Sequence, residues 1–503
     1  MTPAEILFRA LQALVVRAES WGLRSVERCP AADFAAVARP WLHVPSNVEA
    51  PRYVAAADRI VAGLIDVFAL QDVDLGSPPR WNRDPKTGIE APLRFGLTLD
   101  YRDARVVGNI KYLWEVNRHL HLVTLAQAHA LTGDPQYLAV IREHLESWFV
   151  ACPYRMGPNW SSALEAALRL INWSAVWQLL GGAHARIFAD AEGAGFRRRW
   201  LESVYQHARF IRAHFSLYSS ANNHLVGEAA GLFIAALTWP VWPDSSCWRD
   251  EAAAILERET LLQNAPDGVN REQAVSYQQF ELDLLLLPLL AGRANGHEFS
   301  PAYAARIEKM IEFLASIMDG RGHVPMFGDS DDGVVLKLAP QPDFCGYRSL
   351  LATGALLFRR CDFKAKAGAL DDKTRWLLGP AAAPYRQLEQ GWIRLPPKRA
   401  FPVGGYYILG CDFETDAEIR LVADAGPLGY QTIAAHGHAD ALAFTLSVGG
   451  REFLIDPGTY AYHTDPAWRR YFRGTAAHNT VCVDGCDQSQ SGGNFMWLHK
   501  TDA

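Results

Sequence analysis

The sequence predicts an α+β protein of more than one domain, with a helical toroid or α-solenoid over residues 1–385 and an antiparallel β-sandwich over residues 386–503. Apolar residues recur at helical spacing through most of the chain, and no short repeat of fixed period is evident. Short β-rich runs then follow Pro396 and Pro397. Many antiparallel helices in succession are typical of a toroid or a solenoid, and a terminal series of strands is typical of a sandwich.

The helical part is predicted from segments whose apolar residues fall on one helix face. Most of these segments end at Gly, Pro or Asp, which are common at helix ends. Aromatic residues are dense on them, and Trp114, Trp148, Trp173 and Trp177 are prominent. The predicted helices cover residues 111–132, 160–180, 198–215, 223–237, 271–290 and 301–318.

The sheet is predicted from β-rich runs near the end of the chain. Gly449 and Gly450 lie between two of these runs and predict a two-residue hairpin turn. The remaining length suits a small sandwich of roughly 100 residues, and a larger sandwich would lack strands here. The predicted strands cover residues 405–409, 417–422, 442–448, 452–455 and 480–483.

Composition narrows the class of protein. Of 503 residues, 49% are hydrophobic, which is typical of a soluble globular protein, and the apolar runs are too short to span a bilayer. The net charge of -6 argues against a nucleic-acid-binding surface but allows a locally basic cleft for a polyanion.

Glu5, Arg9 and Arg17 fall at helical spacing, which indicates an amphipathic helix rather than a signal peptide. We expect the eight cysteines to be free core residues.

The first polar island, Ser219-Ser220-Ala221-Asn222-Asn223-His224, stands directly before an apolar helix. Ser and Asn satisfy free N–H groups at a helix start, so capping is the favoured interpretation of this island taken alone. In the alternative, the helix start offers amide and imidazole donors to a carboxylate.

The second island contains Tyr277, which lies among polar neighbours at the start of a predicted helix. An ordinary hydrogen-bonded, half-buried tyrosine explains any single residue of this kind. A catalytic role therefore depends on what accompanies it.

The third island, His436-Gly437-His438-Ala439-Asp440, concentrates ionisable groups in an extended segment, where residues i and i+2 share a face. A metal or catalytic role is at least as well supported as a purely structural turn.

The fourth island begins at Asp456, beyond the predicted hairpin, and continues to His478. Simple hairpin register pairs Asp456 with Ala443, on the face opposite to His438, so a bulge or loop is needed to bring them together. Two histidines and an aspartate suit zinc or a similar divalent ion.

Together and in this order, the islands resemble the heparinase II/III family of polysaccharide lyases, with its heparinase III-like and alginate lyase-like members. The resemblance implies an (α/α) toroid followed by a β-sandwich, which we expect to be incomplete because family members usually continue further. It also implies a bacterial periplasmic or secreted enzyme that acts on an anionic, uronic-acid-containing polysaccharide such as heparan sulfate. The markers are NWSSALEAALR (159–169), SSANNHLVGEAAGLF (219–233), REQAVSYQQF (271–280), MFGDSDDG (326–333), HGHADALAF (436–444) and FLIDPGTYAY (453–462).

The resemblance also assigns roles in β-elimination. Asn223 or His224 neutralises the substrate carboxylate, which stabilises the enolate-like species formed when the C5 proton leaves. Tyr277 matches the catalytic tyrosine, and it serves as base and then acid if nearby positive charge or hydrogen-bond donors lower its pKa from about 10. His436 matches the catalytic histidine and is the alternative base for the opposite C5 stereochemistry.

A metal site is implied by the same resemblance. His438, Asp456 and His478 match ligands found in some members, and zinc is the expected ion. Because β-elimination consumes no water, we expect the metal to fix a loop of the sandwich rather than to activate water. No organic cofactor is expected.

Substrate contacts are predicted on helices, where polar residues stand among apolar ones. The candidates are Arg118, His119, Asn159, Trp160 and Glu165. We expect Arg118 and Trp160 to face the cleft as charge partner and stacking platform. In the equally weighted alternative, Trp160 is core and Arg118 pairs with a helix carboxylate.

Two other functions compete with the lyase. A glycoside hydrolase would need opposed carboxylates, for which Glu165, Glu272 and Asp329 are candidates without an obvious pair. A non-catalytic polysaccharide-binding protein would suit the tryptophan-rich helices, but it gives no reason for Tyr277 beside Asn223 and His436. Ultraviolet absorbance of an unsaturated product separates the lyase from both.

Overall fold

The computed structural model describes residues 2–23, 28–36, 38–387, 393–431 and 433–501, and it confirms the order of a helical region and then an antiparallel sheet. The α-helices are α1 (Pro3–Ser20), α2 (Ala50–Val61), α3 (Ala104–Val107), α4 (Ile110–Asn117), α5 (Leu120–Thr132), α6 (Gln136–Ala151), α7 (Ala163–Leu179), α8 (Ala191–Ala213), α9 (Asn223–Thr238), α10 (Ser245–Gln263), α11 (Val275–Ala294), α12 (Pro301–Ile317), α13 (Gly346–Phe358), α14 (Cys361–Ala367), α15 (Asp372–Leu378) and α16 (Pro466–Arg473). The strands are β1 (Leu64–Val67), β2 (Leu70–Asp74), β3 (Ala400–Phe401), β4 (Tyr406–Cys411), β5 (Ile419–Asp424), β6 (Phe444–Val448), β7 (Arg451–Leu454), β8 (Gln490–Gly493) and β9 (Met496–His499).

The predicted helices are confirmed with ends that differ by several residues, apart from the one over residues 111–132. That segment forms α4 and α5, because the chain breaks at Arg118 and His119. His119 adopts a left-handed conformation with φ of 62°. Both side chains are buried and hydrogen-bonded, Arg118 to Glu165 and His119 to Trp173. The break therefore coincides with these tertiary contacts and not with a change in the local apolar pattern.

Contacts between Cα atoms divide the chain into two compact units. The first contains residues 1–254, 291–296 and 335–340, and the second contains residues 255–290, 297–334 and 341–503. The change from helix to strand falls between Gln387 and Ala400, and residues 388–392 lie outside the described residues. The domain boundary near residue 385 stays a prediction.

The core of the first unit is formed by helices that approach closely. α7 packs against α5, α8 and α9. At Gly231 of α9, an added Cβ would lie 2.6 Å from the Cβ of Ala167 on α7, so a larger residue would push the helices apart. Trp173 of α7 and Trp200 of α8 are fully buried, with ring centroids 6.5 Å apart. The close backbone approach and the buried rings together form the core of these helices.

The sheet of the second unit has the order β3-β4-β5-β6-β7 and is antiparallel throughout. One face buries Tyr406, Ile408 and Val422. The opposite face carries Leu409 and Leu446 in register, and Leu409 is 59% exposed. Tyr407 and Ile419 on this face are also exposed, at 38% and 39%.

Two local predictions about the sheet have different outcomes. The hairpin is confirmed, since Val448 pairs with Arg451 around Gly449 and Gly450. The strand predicted over residues 480–483 is wrong, because Thr480 lies in a bend and only Val483 makes a bridge, to Cys486. The side chains of Thr480 and Asn479 bond backbone carbonyls there, which replaces ladder pairing.

Two further outcomes concern composition. Among the described helices, none combines the length and the apolar character that a membrane span requires. None of the cysteines in the described part of the chain forms a disulfide, as predicted, but only Cys152 is buried and the expectation of core positions is wrong for the others.

Candidate functional site

Asp329 lies at the centre of the polar cluster in the second unit, and glycine at position 328 allows it to be there. Gly328 has φ of 71°, and a Cβ at this position would overlap the carbonyl oxygen of Gln273. The backbone N–H of Val275 donates to Phe327, which fixes the segment against the start of α11. Asp329 is thereby held beside Tyr277, in the first turn of that helix.

His436 lies against Tyr277 with the two rings stacked, their centroids 3.9 Å apart and their planes 23° from parallel. Its Nδ1 is 3.0 Å from Oδ2 of Asp329, and its Nε2 is 3.4 Å from Oε2 of Glu272. The side chain is 7% exposed. The predicted catalytic tyrosine and histidine are therefore in direct contact.

The hydroxyl of Tyr277 is 3.1 Å from the hydroxyl of Tyr462. Burial raises the pKa of Tyr277 well above its usual value, and the carboxylates of Asp331 and Asp329 add to that effect. The lowered pKa that a tyrosine base would need is therefore not found, because burial and the two carboxylates outweigh the hydrogen bond with Tyr462, which acts in the lowering direction. Tyr277 holds its proton, which suits a general acid.

The carboxylate of Asp329 is fully buried and accepts from several donors. Besides His436, they are His438 Nε2 at 2.9 Å, Thr459 Oγ1 at 3.1 Å and the guanidinium of Arg469, whose Nη2 is 2.8 Å away. Burial alone would raise the pKa of this carboxyl, but the Arg469 charge and the hydrogen bonds hold it well below its usual range. Asp329 is consequently an ionised acceptor that joins two histidines.

The predicted metal ligands His438, Asp456 and His478 converge. All three are buried, and one ligand atom from each lies within 4.8 Å of the others. The bulge that this convergence requires is present, since the register shifts between Leu446, which pairs with Leu454, and Ser447, which pairs with Glu452. The structure thus brings together the residues that simple register would separate.

The donor set fits a divalent cation. Nδ1 of His438 and Nε2 of His478 are buried and have no hydrogen-bond partner. Burial lowers the pKa of His438 to about 4, so the imidazole is neutral at neutral pH, as a metal ligand must be. Asp329 on the other nitrogen of His438 is the kind of outer partner that orients a ligating histidine.

Two further carboxylates lie close to Asp456. Burial raises the pKa of Asp424 and of Asp440, Asp456 raises both further, and Asp424 adds to the rise at Asp440. Tyr406 donates to Asp424 at 3.2 Å. This concentration of buried acidic groups favours a cation nearby, because a positive charge offsets their mutual repulsion.

Asn223 and His224 belong to the first unit, where they begin α9. The capping interpretation is confirmed for Asn222, whose side chain accepts from the backbone N–H of His224 at 3.1 Å. Asn223 is buried and His224 is half-buried. Further along α9, burial raises the pKa of Glu228 to about 8 although Ser216 donates to it.

The predicted substrate contacts are all buried in the first unit. Arg118 is 3% exposed and is paired with Glu115 and Glu165, each at 2.8 Å. Trp160 is 1% exposed and donates to the carbonyl of Cys152. The expectation that Arg118 and Trp160 face a cleft is therefore wrong, and the alternative of an ion pair and a core tryptophan is correct.

His119 and Asn159 are equally enclosed. His119 accepts from Trp173 Nε1 at 2.7 Å, and Asn159 donates to Asn82 at 3.2 Å. Burial lowers the pKa of His119 well below its usual value. Substrate contacts by these residues stay predictions.

Several residues of the cluster were not predicted to act there. Asp329 was considered only as a hydrolase carboxylate, although its polar motif was a visible signal. Tyr462 stands in the quoted segment 453–462 but was not singled out. Arg469 lies on the buried side of α16, which only the folded chain reveals.

Known families and proteins resemble the chain along most of its length. The model of the heparinase II/III N-terminus matches residues 70–339, and the model of the heparinase II/III-like C-terminal domain matches residues 393–502. A heparin-sulfate lyase of Bacteroides stercoris is 24% identical over 433 residues, which are 80% of this chain and 59% of that protein. A heparin-sulfate lyase of Pedobacter heparinus is 26% identical over 384 residues, which are 74% of this chain and 52% of that protein.

A crystal structure of heparinase III has a similar fold. It aligns with a TM-score of 0.64 at 17% identity and covers 97% of this chain and 71% of that chain. At this identity the likeness shows the fold alone. The chain spans only 59% and 52% of the two lyases' lengths.

Proposed function

The chain belongs to the heparinase II/III family, and from that premise we propose that it is a polysaccharide lyase that cleaves a uronic-acid-containing glycosaminoglycan by β-elimination. The N-terminal match alone covers more than half of the chain. The observation that carries the proposal is the stacked pair of Tyr277 and His436, whose hydroxyl and imidazole are the proton-transferring groups that the reaction needs.

The first requirement of the reaction is a donor for the substrate carboxylate. Removal of the C5 proton places negative charge on that carboxylate, so an amide or imidazole donor stabilises the transition state. We assign this role to Asn223 or His224, which the family resemblance names. Both lie at the start of α9, where backbone N–H groups also favour an anion.

The two proton transfers are divided between Tyr277 and His436. His436 takes the C5 proton, the C5–H electrons form the C4–C5 double bond, and the C4–O4 bond breaks. Tyr277 then gives its proton to the departing O4. The raised pKa of Tyr277 keeps the phenol protonated at neutral pH, so it enters the reaction as a proton donor to the strongly basic departing oxygen rather than as a base.

A divalent ion, with zinc as the best fit, is proposed at His438, Asp456 and His478. Neutral imidazole and carboxylate ligands suit zinc, and the orphaned ring nitrogens support the assignment. When bound, the ion cross-links the segments that carry its ligands and so holds His436, two residues from His438, in place. Elemental analysis of protein purified without chelator checks this, and absence of any bound divalent metal would contradict it.

A glycoside hydrolase is less well supported. Glu272 and Asp329 contact opposite nitrogens of the same imidazole rather than facing each other across an open space. Glu165 is paired with Arg118. None of these carboxylates has the arrangement that an inverting or retaining hydrolase needs.

The test of the proposal is the ultraviolet absorbance of the 4,5-unsaturated product. Heparan sulfate is the expected substrate, because the two relatives are named heparin-sulfate lyases. Hyaluronan, alginate and bacterial exopolysaccharide form the other arms of the panel. Ultraviolet absorbance of the product from heparan sulfate supports the proposal. If the protein cleaves a polysaccharide of the panel but none of its products absorbs, the proposal is contradicted.

A further inference from the structure

We propose that Asp329 is a positioning residue that determines which ring nitrogen carries hydrogen on two histidines at once, the base His436 and the metal ligand His438. The roles of those histidines rest on the proposed function. The Asp329 carboxylate is fully buried, and its two oxygens lie 3.0 Å from His436 Nδ1 and 2.9 Å from His438 Nε2. One side chain therefore joins the acid–base pair to the metal site.

The argument begins with the charge on Asp329. Both Nη atoms of Arg469 contact its carboxylate oxygens, and a guanidinium stays protonated in proteins. This paired contact is made to an ionised carboxylate. Because an ionised carboxylate only accepts, both histidine nitrogens that face it must donate. His436 thus carries hydrogen on Nδ1, and His438 carries hydrogen on Nε2.

The consequences for the two histidines differ. Proton exchange at His436 is confined to Nε2, on the ring edge near Glu272, while the ring stacks on Tyr277. At His438 the lone pair is left on Nδ1. This atom is buried, has no hydrogen-bond partner and belongs to the group of candidate metal ligands. Asp329 thereby prepares one imidazole for proton transfer and the other for metal binding.

The two oxygens of Asp329 accept different numbers of hydrogen bonds, so one substitution can affect His436 and His438 differently. Oδ1 accepts from His438, Thr459 and one Arg469 nitrogen, whereas Oδ2 accepts from His436 and the other Arg469 nitrogen. In Asp329→Asn the single oxygen should occupy the more heavily used position. The amide NH₂ then faces Arg469 Nη2, which loses its acceptor, and His436 Nδ1, which must accept and move its hydrogen to Nε2.

Zinc affinity tests the metal half of the proposal. The full chain and its variants are stripped of metal and titrated with Zn²⁺ against a chromophoric chelator. Asp329→Ala should weaken zinc binding about 10–100-fold, the usual effect of losing an outer partner of a ligating histidine. Asp329→Asn should retain most of the affinity.

Asp283→Asn is the matched control, because it breaks another buried ion pair of the same unit. Asp283 accepts from Lys373 at 2.6 and 2.8 Å and contacts neither histidine. It should lose stability without a change in zinc affinity. Equal zinc affinity in Asp329→Ala and the parent, or an equal loss in Asp283→Asn, would overturn the proposal.

Two readouts test the His436 half. With heparan sulfate, Asp329→Asn should lower kcat by roughly 10–100-fold with little change in KM. In ¹⁵N spectra of histidine-labelled protein, the hydrogen of His436 should move from Nδ1 to Nε2. A His436 hydrogen that stays on Nδ1 with kcat unchanged would overturn this half.

The outcomes also distinguish this proposal from the lyase proposal. If the parent cleaves no polysaccharide, the proposed function fails, while the zinc titration and the ¹⁵N spectra still decide the role of Asp329. If Asp329→Ala does not fold, as judged by circular dichroism, the metal half is decided by the ¹⁵N spectrum of the parent, where hydrogen on Nδ1 of His438 would overturn it, and Asp329→Asn decides the His436 half. If the parent protein binds no zinc, the proposed link between Asp329 and a metal site is overturned, whereas the absorbance test of lyase activity is unaffected.

Discussion

Replacement of Tyr277 by Phe removes one hydroxyl from the centre of the candidate site and leaves the ring in place. The stack on His436 and the burial of the ring are retained. The hydroxyl makes a 3.1 Å contact with Tyr462, so its loss should cost about 1 kcal/mol of unfolding free energy. The rate should fall far more, by roughly 10²–10⁴-fold, because the departing O4 loses its proton donor.

The control for this variant is Tyr303→Phe. Tyr303 is fully buried in the same unit, and its hydroxyl donates to the carbonyl of Leu285 at 2.8 Å. It should lose similar stability in denaturant titrations while its initial rate, followed by product absorbance, stays at the parent value. If Tyr277→Phe cleaves every parent substrate at near-parent rate, the assignment of the acid is wrong.

The remaining predictions concern the base His436, the hydrogen-bond donor to the substrate carboxylate, and the pH dependence of stability. His436→Ala should abolish cleavage if His436 is the sole base, whereas survival of one uronic epimer in the rate assay would make Tyr277 the base for that epimer. Asn223→Ala should raise the activation barrier by roughly 3–4 kcal/mol if its amide neutralises the carboxylate, and a normal kcat would transfer that role to His224. Burial lowers the pKa of His144 from 6.5 to about 4, so the folded state binds fewer protons than the unfolded state as pH falls below 6.5. Unfolding free energy should therefore drop by about 2 kcal/mol between pH 7 and pH 5 through this residue, and denaturant titrations should show a smaller drop in His144→Gln.

Much of the fold was predictable because local patterns and the final structure agree. The glycine pair at residues 449 and 450 specifies the hairpin, and it forms as expected. The helix over residues 111–132 was mispredicted because its apolar spacing is continuous through Arg118, whereas the break depends on contacts with Glu165, far along the chain. Such long-range pairing leaves no trace in local periodicity.

The candidate site shows the same limit. The identities of Tyr277, His436 and the metal-ligand candidates could be read from sequence islands, but their connection through Asp329 could not. Hairpin register placed Asp456 on the wrong face, and the bulge that corrects it was a requirement rather than a visible signal. A lowered pKa is the condition for Tyr277 to act as a base, and the direction of the shift could not be read from the sequence, because it depends on burial and on the carboxylates that the fold brings close.

The most direct test of β-elimination is the mass balance of one cleavage event in isotopically labelled water. A heparan sulfate oligosaccharide of defined length is treated with the enzyme in H₂¹⁸O, and the masses of both products are measured by mass spectrometry. The account predicts that the product masses sum to the substrate mass, with unsaturation in one fragment and no ¹⁸O beyond that which a free reducing end exchanges with the solvent in a control. Products that together exceed the substrate by one water and carry ¹⁸O would show hydrolysis and contradict the account.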